Sequence, residues 1–234
     1  ARYMGETLAA IRRQSCQDFE DVAVGCGSTD GTPECAERHE PKQVLSDPKE
    51  FTYGRALNLG VSRSRGEIIV SLSAHATPEG EQWLGRLVSG FRHREVAGVY
   101  GRHIPRENAS FFELLGMKLS GITSLQPKIH QRNARFSNAN GAFRRELWEM
   151  EPFREELPGA EDIYWARRMQ RLGYLIVYEP RAAVYHSHGE PLPRLIRRQL
   201  HDQPVILRSW LGSLFEEQPV KEKAEVRGGQ FIAK

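Results

Sequence analysis

Apolar residues come along this chain in short β-branched bursts separated by stretches of helical spacing, and the two rhythms alternate. The plainest burst, Ile68, Ile69, Val70 and Leu72, lies between Gly66 and Pro78 and predicts a strand buried on both faces. Upstream, Tyr3, Leu8 and Ile11 have helical spacing, Phe19 to Val24 predicts a strand, and Gln43 to Leu45 a smaller one. Phe51 to Asn58 starts a helix that runs towards Gly66. Downstream, Trp83, Leu84, Leu87, Val88 and Phe91 predict a helix packed on the sheet, and Val96 to Gly101 the next strand. The rhythm loosens from His103 to Arg135, where Phe111, Phe112, Leu114 and Leu115 predict a helix ahead of a polar loop long enough to serve as a lid. Phe136 to Trp148 reads as a tight polar turn and a helix start, and Gly159 to Gly173 as a helix closed by its glycine. Tyr174 to Tyr178 and Ala182 to Tyr185 read as two strand pieces around Pro180. This alternation predicts an α/β fold with a mostly parallel sheet and helices on both faces.

In the tail, Leu195, Ile196, Leu200, Ile206, Leu207, Trp210, Leu211 and Phe215 are interleaved with arginines and divided at Pro204, which predicts two amphipathic helices. The expected organisation is a main domain over residues 1–190 and a helical appendage over 191–234 that packs on it or lies on an anionic membrane. Across the 234 residues, 33 Lys and Arg oppose 30 Asp and Glu, and their dispersal argues against a dedicated nucleic-acid binder. Cys16, Cys26 and Cys35 are odd in number and lack metal-ligand spacing, which points to a reducing, cytoplasmic setting without a disulfide framework. No apolar run approaches the roughly 18 residues of a membrane span.

Candidate chemistry gathers at the ends of these elements. In open α/β sheets ligands collect beyond the carboxyl ends of strands, which selects Ser73, Ala74 and His75. The glycine-rich turn from Gly25 to Pro33, with Gly27, Ser28 and Asp30, precedes a helix start, where exposed backbone N–H groups suit phosphate. Arg55 and Asn58 lie one helical turn apart and share a face. Glu161 and Asp162 occupy a first helical turn, where carboxylates complement the dipole whether or not they do chemistry. His186 and His188 fall on the same face of an extended segment.

Taken in order, Tyr3 to Gln17, Gly27-Ser-Thr-Asp-Gly-Thr32, Arg55-Ala-Leu-Asn58, Gly66 to Pro78, Asn138-Ala-Asn-Gly-Ala142, Glu161-Asp162 and His186-Ser-His188 resemble the family 2 glycosyltransferases, nucleotide-sugar enzymes of the GT-A fold. Within that family the chain resembles the rhamnosyltransferases. The resemblance implies a nucleoside-diphosphate sugar donor, a glycan or lipid-linked hydroxyl acceptor, and a role in cell-envelope polysaccharide synthesis. It further implies Asp162 as general base with Glu161 in support, and substrate contacts at Gly27, Ser28, Asp30, Arg55, Asn58, Ser73, His75, Asn140 and Gly141. Transfer would then invert the sugar carbon by direct displacement.

Two departures from the family pattern stand out. Gly25 and Cys26 occupy positions where the family carries acidic residues, and Ser73-Ala-His75 replaces its Asp-x-Asp metal signature. Losing both carboxylates disfavours Mg²⁺, which prefers oxygen ligands. Two expectations stay open: His75 with His186 or His188 holds Mn²⁺, or the histidines and Arg55 neutralise the diphosphate without a metal. The family fold also places a central strand ahead of Tyr3, so the resemblance implies that the sequence as given starts after it. Other readings are a non-catalytic nucleotide-sugar or glycan-binding module of the same fold and, more distantly, a nucleotidyltransferase.

Overall fold

The computed structural model describes residues 3–25, 41–133 and 135–189, together with Pro193, Ile196 and Arg197. The first helix, α1 (Met4–Arg12), buries Thr7, Leu8 and Ala10. Just past it, the buried amide of Gln14 donates to the carbonyls of Ala10 and Gly80 and accepts from Leu84 N, so one polar side chain ties the helix end to the body of the fold. Strands β1 (Val22–Gly25) and β2 (Lys42–Leu45) form a parallel pair. Helix α2 (Tyr53–Ser62) follows, capped by the Thr52 hydroxyl accepting from Arg55 N.

A separate six-stranded sheet carries the centre of the molecule. It contains β3 (Ile68–Leu72), β4 (Thr77–Pro78), β5 (Val96–Ile104), β6 (Lys128–His130), β7 (Asn140–Arg144) and β8 (Leu175–Tyr185). Its order is β3-β7-β5-β8-β4, with β6 also paired to β8. The long strands β3, β5 and β8 point the same way: β5 and β8 pair in parallel, and β3 and β5 each run antiparallel to the intervening β7. The short strands β4 and β6 are antiparallel to β8. The expected α/β layout is therefore present, with concordant main strands and one opposed strand inserted among them.

Alternate residues face two cores. Phe143, Ile176 and Tyr178 join Phe136, Phe153, Trp165 and Met169 beneath α6 (Glu161–Arg171). Ala142, Val177 and Val99 join Trp83, Leu84, Leu87 and Phe91 beneath α3 (Trp83–Ser89). Two further α-helices are α4 (Phe111–Ser120) and α5 (Arg145–Met150), and short 3-10 turns span Pro48–Glu50 and Gly90–Arg92.

Two expectations are corrected. The stretch from Phe136 includes a buried strand, β7, where a polar turn and helix start were expected; Gly141, Ala142 and Phe143 fill the gap between β3 and β5, and the polar Asn140 is satisfied inside. Pro180 sits inside one continuous strand, β8, at an irregularity where β5 advances from Gly101 to His103 while β8 advances from Glu179 to Val184. A bulge tolerates proline's missing N–H. It also drives the Ala182 carbonyl against β5: a Cβ on Gly101 would lie 1.8 Å from that oxygen, so only glycine fits there. The proposed appendage, 191–234, falls outside the described residues apart from Pro193, Ile196 and Arg197. No helix among the described residues is long and apolar enough to cross a membrane.

Candidate functional site

The carboxyl end of β3 opens into Ser73, Ala74 and His75, and short-range pairing fixes what faces it. Ser73 N donates to Ala139 O, and the Ser73 hydroxyl lies 2.9 Å from His75 Nδ1. Two residues later Thr77 pairs with Tyr185, which draws the 73–77 loop to the end of β8. There the His186 amide continues the ladder by donating to Ile104 O. The imidazoles of His75 and His186 stack with centroids 4.7 Å apart, His188 stands 5.0 Å from His75 and 4.9 Å from His186, and the ligand nitrogens of the three all lie within 4.8 Å of one another. The i, i+2 spacing of His186 and His188 thus places both rings against His75, as extended backbone allows.

This group suits a divalent cation by its donor set. Two imidazole nitrogens on a tetrahedral ion at about 2.0 Å would be about 3.3 Å apart, against the 4.8 Å within which the three ligand nitrogens lie. Three imidazoles without a carboxylate select a borderline ion over Mg²⁺.

A fourth histidine, His103 at the end of β5, packs edge-on against His186 at 4.8 Å. Burial, reinforced by the charges of His188 and His75, pushes its pKa down to about 3. It is a neutral wall behind the group, and its Nε2 is buried without a hydrogen-bond partner. Arg106 binds the same loops, its guanidinium donating to His75 O at 3.2 Å and to Thr77 Oγ1 at 2.6 Å and its backbone N donating to Ser187 Oγ at 3.1 Å. Glu113, on α4, accepts from His188 N at 2.7 Å and from Gly189 N at 3.1 Å.

The second part of the site is the start of α6. Ala160 adopts a left-handed conformation, φ 56°, and turns the chain into Glu161 and Asp162. Glu161 is buried and accepts from Asn138 Nδ2 at 3.2 Å. Asp162 accepts from Asn138 N at 3.2 Å through one oxygen and from Ile163 N at 2.7 Å through the other. Asn138 O in turn accepts from Ser71 Oγ at 2.6 Å, and the next carbonyl, Ala139 O, is the one bound by Ser73 N. A single turn of chain, residues 137–140, thereby joins the carboxylates of α6 to the end of β3 that carries His75. Asp162 and the histidines belong to the same rim of the sheet.

Other candidates stand elsewhere. Asn140 is fully buried: its Oδ1 accepts from Trp83 Nε1, and its amide donates to Arg102 O and Ala182 O. It is a staple between strands, with no surface for a substrate. Gly141 is likewise buried, because a Cβ there would lie 2.6 Å from Ser137 O. Asn58 spends its amide and carbonyl on Trp148 Nε1, Phe153 N, Phe153 O and Glu155, anchoring the 148–155 segment to α2. Arg55 pairs with Glu50 and Glu155. In this structure Arg55, Asn58, Asn140 and Gly141 are thus engaged in ion pairs, structural hydrogen bonds and close packing. Gly27, Ser28 and Asp30 lie outside the described residues.

His103, Arg106 and Glu113 were not among the expected site residues, and Asn138 entered only as part of the Asn138 to Ala142 segment of the family resemblance. For His103 the strand parity relative to Tyr100 and Gly101 carried a signal; for the others the partners are distant in the chain.

Comparison with known proteins gives a consistent picture. Residues 1–150 match the family described as glycosyl transferase family 2. The chain is 28% identical over 193 residues to the O-antigen chain rhamnosyltransferase WbaN of Salmonella anatum, covering 79% of this chain and 61% of that protein. It is 26% identical to glycosyltransferase AglE of Haloferax volcanii, covering 82% and 64%. Among solved structures, the mannosyltransferase PcManGT of Pyrobaculum calidifontis, in complex with GDP-Man and Mn²⁺, superposes with a TM-score of 0.69 at 23% identity over 94% of this chain and 62% of that one. The chain thus spans about three fifths of the length of these relatives.

Proposed function

The chain belongs to glycosyl transferase family 2, and from that premise we propose that it transfers a sugar from a nucleoside diphosphate to a hydroxyl acceptor, with Asp162 as general base. The observation that carries this reading is the bond path Asp162–Asn138–Ser71, continued through Ser73 to His75, which sets a carboxylate and a cluster of imidazoles on one rim. Charge must be handled at both ends of the reaction. The acceptor oxygen loses its proton to Asp162 Oδ as it bonds to the anomeric carbon, while the bond from that carbon to the diphosphate oxygen breaks and the diphosphate leaves with the electron pair. Attack from the face opposite the leaving group inverts the sugar carbon.

Asn138 positions the base. Its N–H holds one Asp162 oxygen and its amide holds Glu161, so both carboxylates keep their orientation at the start of α6. His75, His186 and His188 are the residues that would hold a divalent cation, and Mn²⁺ is the ion to try first because the mannosyltransferase structure holds it. An ion held there would supply Lewis-acid stabilisation of diphosphate charge. The GDP-Man and Mn²⁺ of the mannosyltransferase relative support this choice of donor class and ion. The names of two of the curated relatives, O-antigen chain rhamnosyltransferases, support rhamnose as the sugar and an envelope polysaccharide chain as the acceptor; to this we add a lipid-linked acceptor at the cytoplasmic face of the membrane.

The test is Asp162→Asn assayed for transfer and for donor binding by calorimetry. Transfer is expected to fall about 10²- to 10⁴-fold, the usual contribution of a positioned base, with donor affinity within a few-fold of the parent. Retained turnover would remove Asp162 from this role. Absence of both transfer and donor hydrolysis in the unaltered protein, alongside donor binding, would favour a non-catalytic sugar-nucleotide module.

A further inference from the structure

Helix α4 is turned inside out. Glu113 is its one buried residue, while Phe111, Phe112, Leu114, Leu115 and Leu119 are exposed. A carboxylate leaves water at a large cost unless hydrogen bonds replace its hydration. Glu113 has such bonds, and both run to the backbone around a histidine of the proposed cation site: Oε1 accepts from His188 N and Oε2 from Gly189 N.

We propose that Glu113 is a positioning residue for His188, and through it for the cation held by His75, His186 and His188. The inference rests on the reading of those three histidines as a cation site. Strand pairing accounts for His186, whose amide donates to Ile104 O at the end of the β5–β8 ladder. His188 lies beyond that last ladder bond, in chain that turns at Gly189, φ 62°, against Asn108. A bidentate carboxylate fixes the direction of two successive N–H vectors there, and with them the Cα–Cβ direction from which the His188 ring reaches His75. Hydrogen bonds to an ionised acceptor are about twice as strong as neutral ones, which suits a residue that orients chain beyond the end of a strand. The Glu113 charge also favours a cation nearby. Support of this kind, one bond removed from the ligands, typically changes metal affinity by about 10- to 100-fold when deleted.

The experiment measures Mn²⁺ binding to the full chain by calorimetry and by electron paramagnetic resonance, for the parent, His188→Ala, Glu113→Gln and Glu113→Asp. Glutamine keeps one acceptor and turns an NH₂ towards the second backbone N–H. The expected result is a Mn²⁺ Kd raised about 10- to 100-fold in Glu113→Gln, an intermediate rise in Glu113→Asp, and a kcat at saturating Mn²⁺ within about threefold of the parent. The amide proton resonances of His188 and Gly189 should move upfield in Glu113→Gln, a readout independent of metal. Parent-like Mn²⁺ affinity and parent-like His188 and Gly189 amides in the Glu113 variants would overturn this inference alone. A parent that does not bind Mn²⁺, or binds it equally well after His188→Ala, would overturn the cation reading and this inference with it. Should Glu113→Gln fail to fold, Glu113→Asp decides the matter by the same two measurements.

Discussion

Helices α3 and α4 lie on either side of β5 in the chain and are fastened by opposite means. α3 presents Trp83, Leu84 and Leu87 to the core, and Leu87 is 0% exposed. In α4 the large apolar residues face outwards, Phe111 at 71% and Leu119 at 79% exposure, and the inward residue is the carboxylate of Glu113. One helix is held by area removed from water and the other by hydrogen bonds to a strand end. Hydrophobic burial is non-directional, whereas a bidentate carboxylate orients what it binds. The helix whose Glu113 binds the chain at His188 therefore owes its position to directional bonds, and the helix that covers the sheet owes its position to packing.

Three measurements sharpen or break this contrast. Leu87→Ala should cost about 2–5 kcal/mol of global stability, read from urea unfolding midpoints, because it opens a cavity in a fully buried site. A loss below about 1 kcal/mol would show that α3 is not core-held in the sense argued.

Acid should act on the arm that carries α4. The arm leaves the sheet beside His103 and returns to it at His130, and both rings are neutral in the fold. Burial, with a smaller contribution from Lys128, pushes His130 down to about 4; His103 lies at about 3. His130 also bonds the hydroxyl of Tyr100, which burial keeps protonated. Since both folded pKa values lie below the ordinary 6.5, the unfolded chain binds more protons between these limits. Stability is thus fully present above about pH 6.5 and falls as pH drops towards 4 and below. The slope is about 1.4 kcal/mol per pH unit for the fully buried His103 and less for the partly exposed His130. Unfolding midpoints between pH 7 and pH 4 test this, and a flat profile over that range would count against neutral histidines at both ends of the arm.

Leu119→Ser should change stability by no more than about 0.5 kcal/mol, the usual range for an exposed position, as read by the same midpoints. A loss of several kcal/mol would place Leu119 under cover in solution and erase the difference between the two helices.

What could be read from the chain followed local rhythm. β3, α3 and the i, i+2 relation of His186 and His188 each depend on residues within a few positions, and the structure has them where the pattern set them. β7 was hidden because its first residue is an asparagine whose partners, Trp83, Arg102 and Ala182, lie tens of residues away; polarity there marks an internal staple, which no local period reveals. The same reason applies to Asn58, which holds Phe153 and Trp148. Glu113 and Arg106 were missed in reverse, since their partners are backbone atoms of distant loops. The acidic pair of α6 was legible as a pair, but its link to His75 required the turn through Asn138.

That turn also acts as a gauge. The Asp162 carboxylate on one side and the loop that carries His75 on the other are both hydrogen-bonded to the peptide from Ser137 to Asn140, so one short stretch of chain sets the span between them. Under the proposed function, a sugar lodged in that span would be measured against the distance between the proposed base and the proposed cation site, and substrates would be sorted by how well they match it.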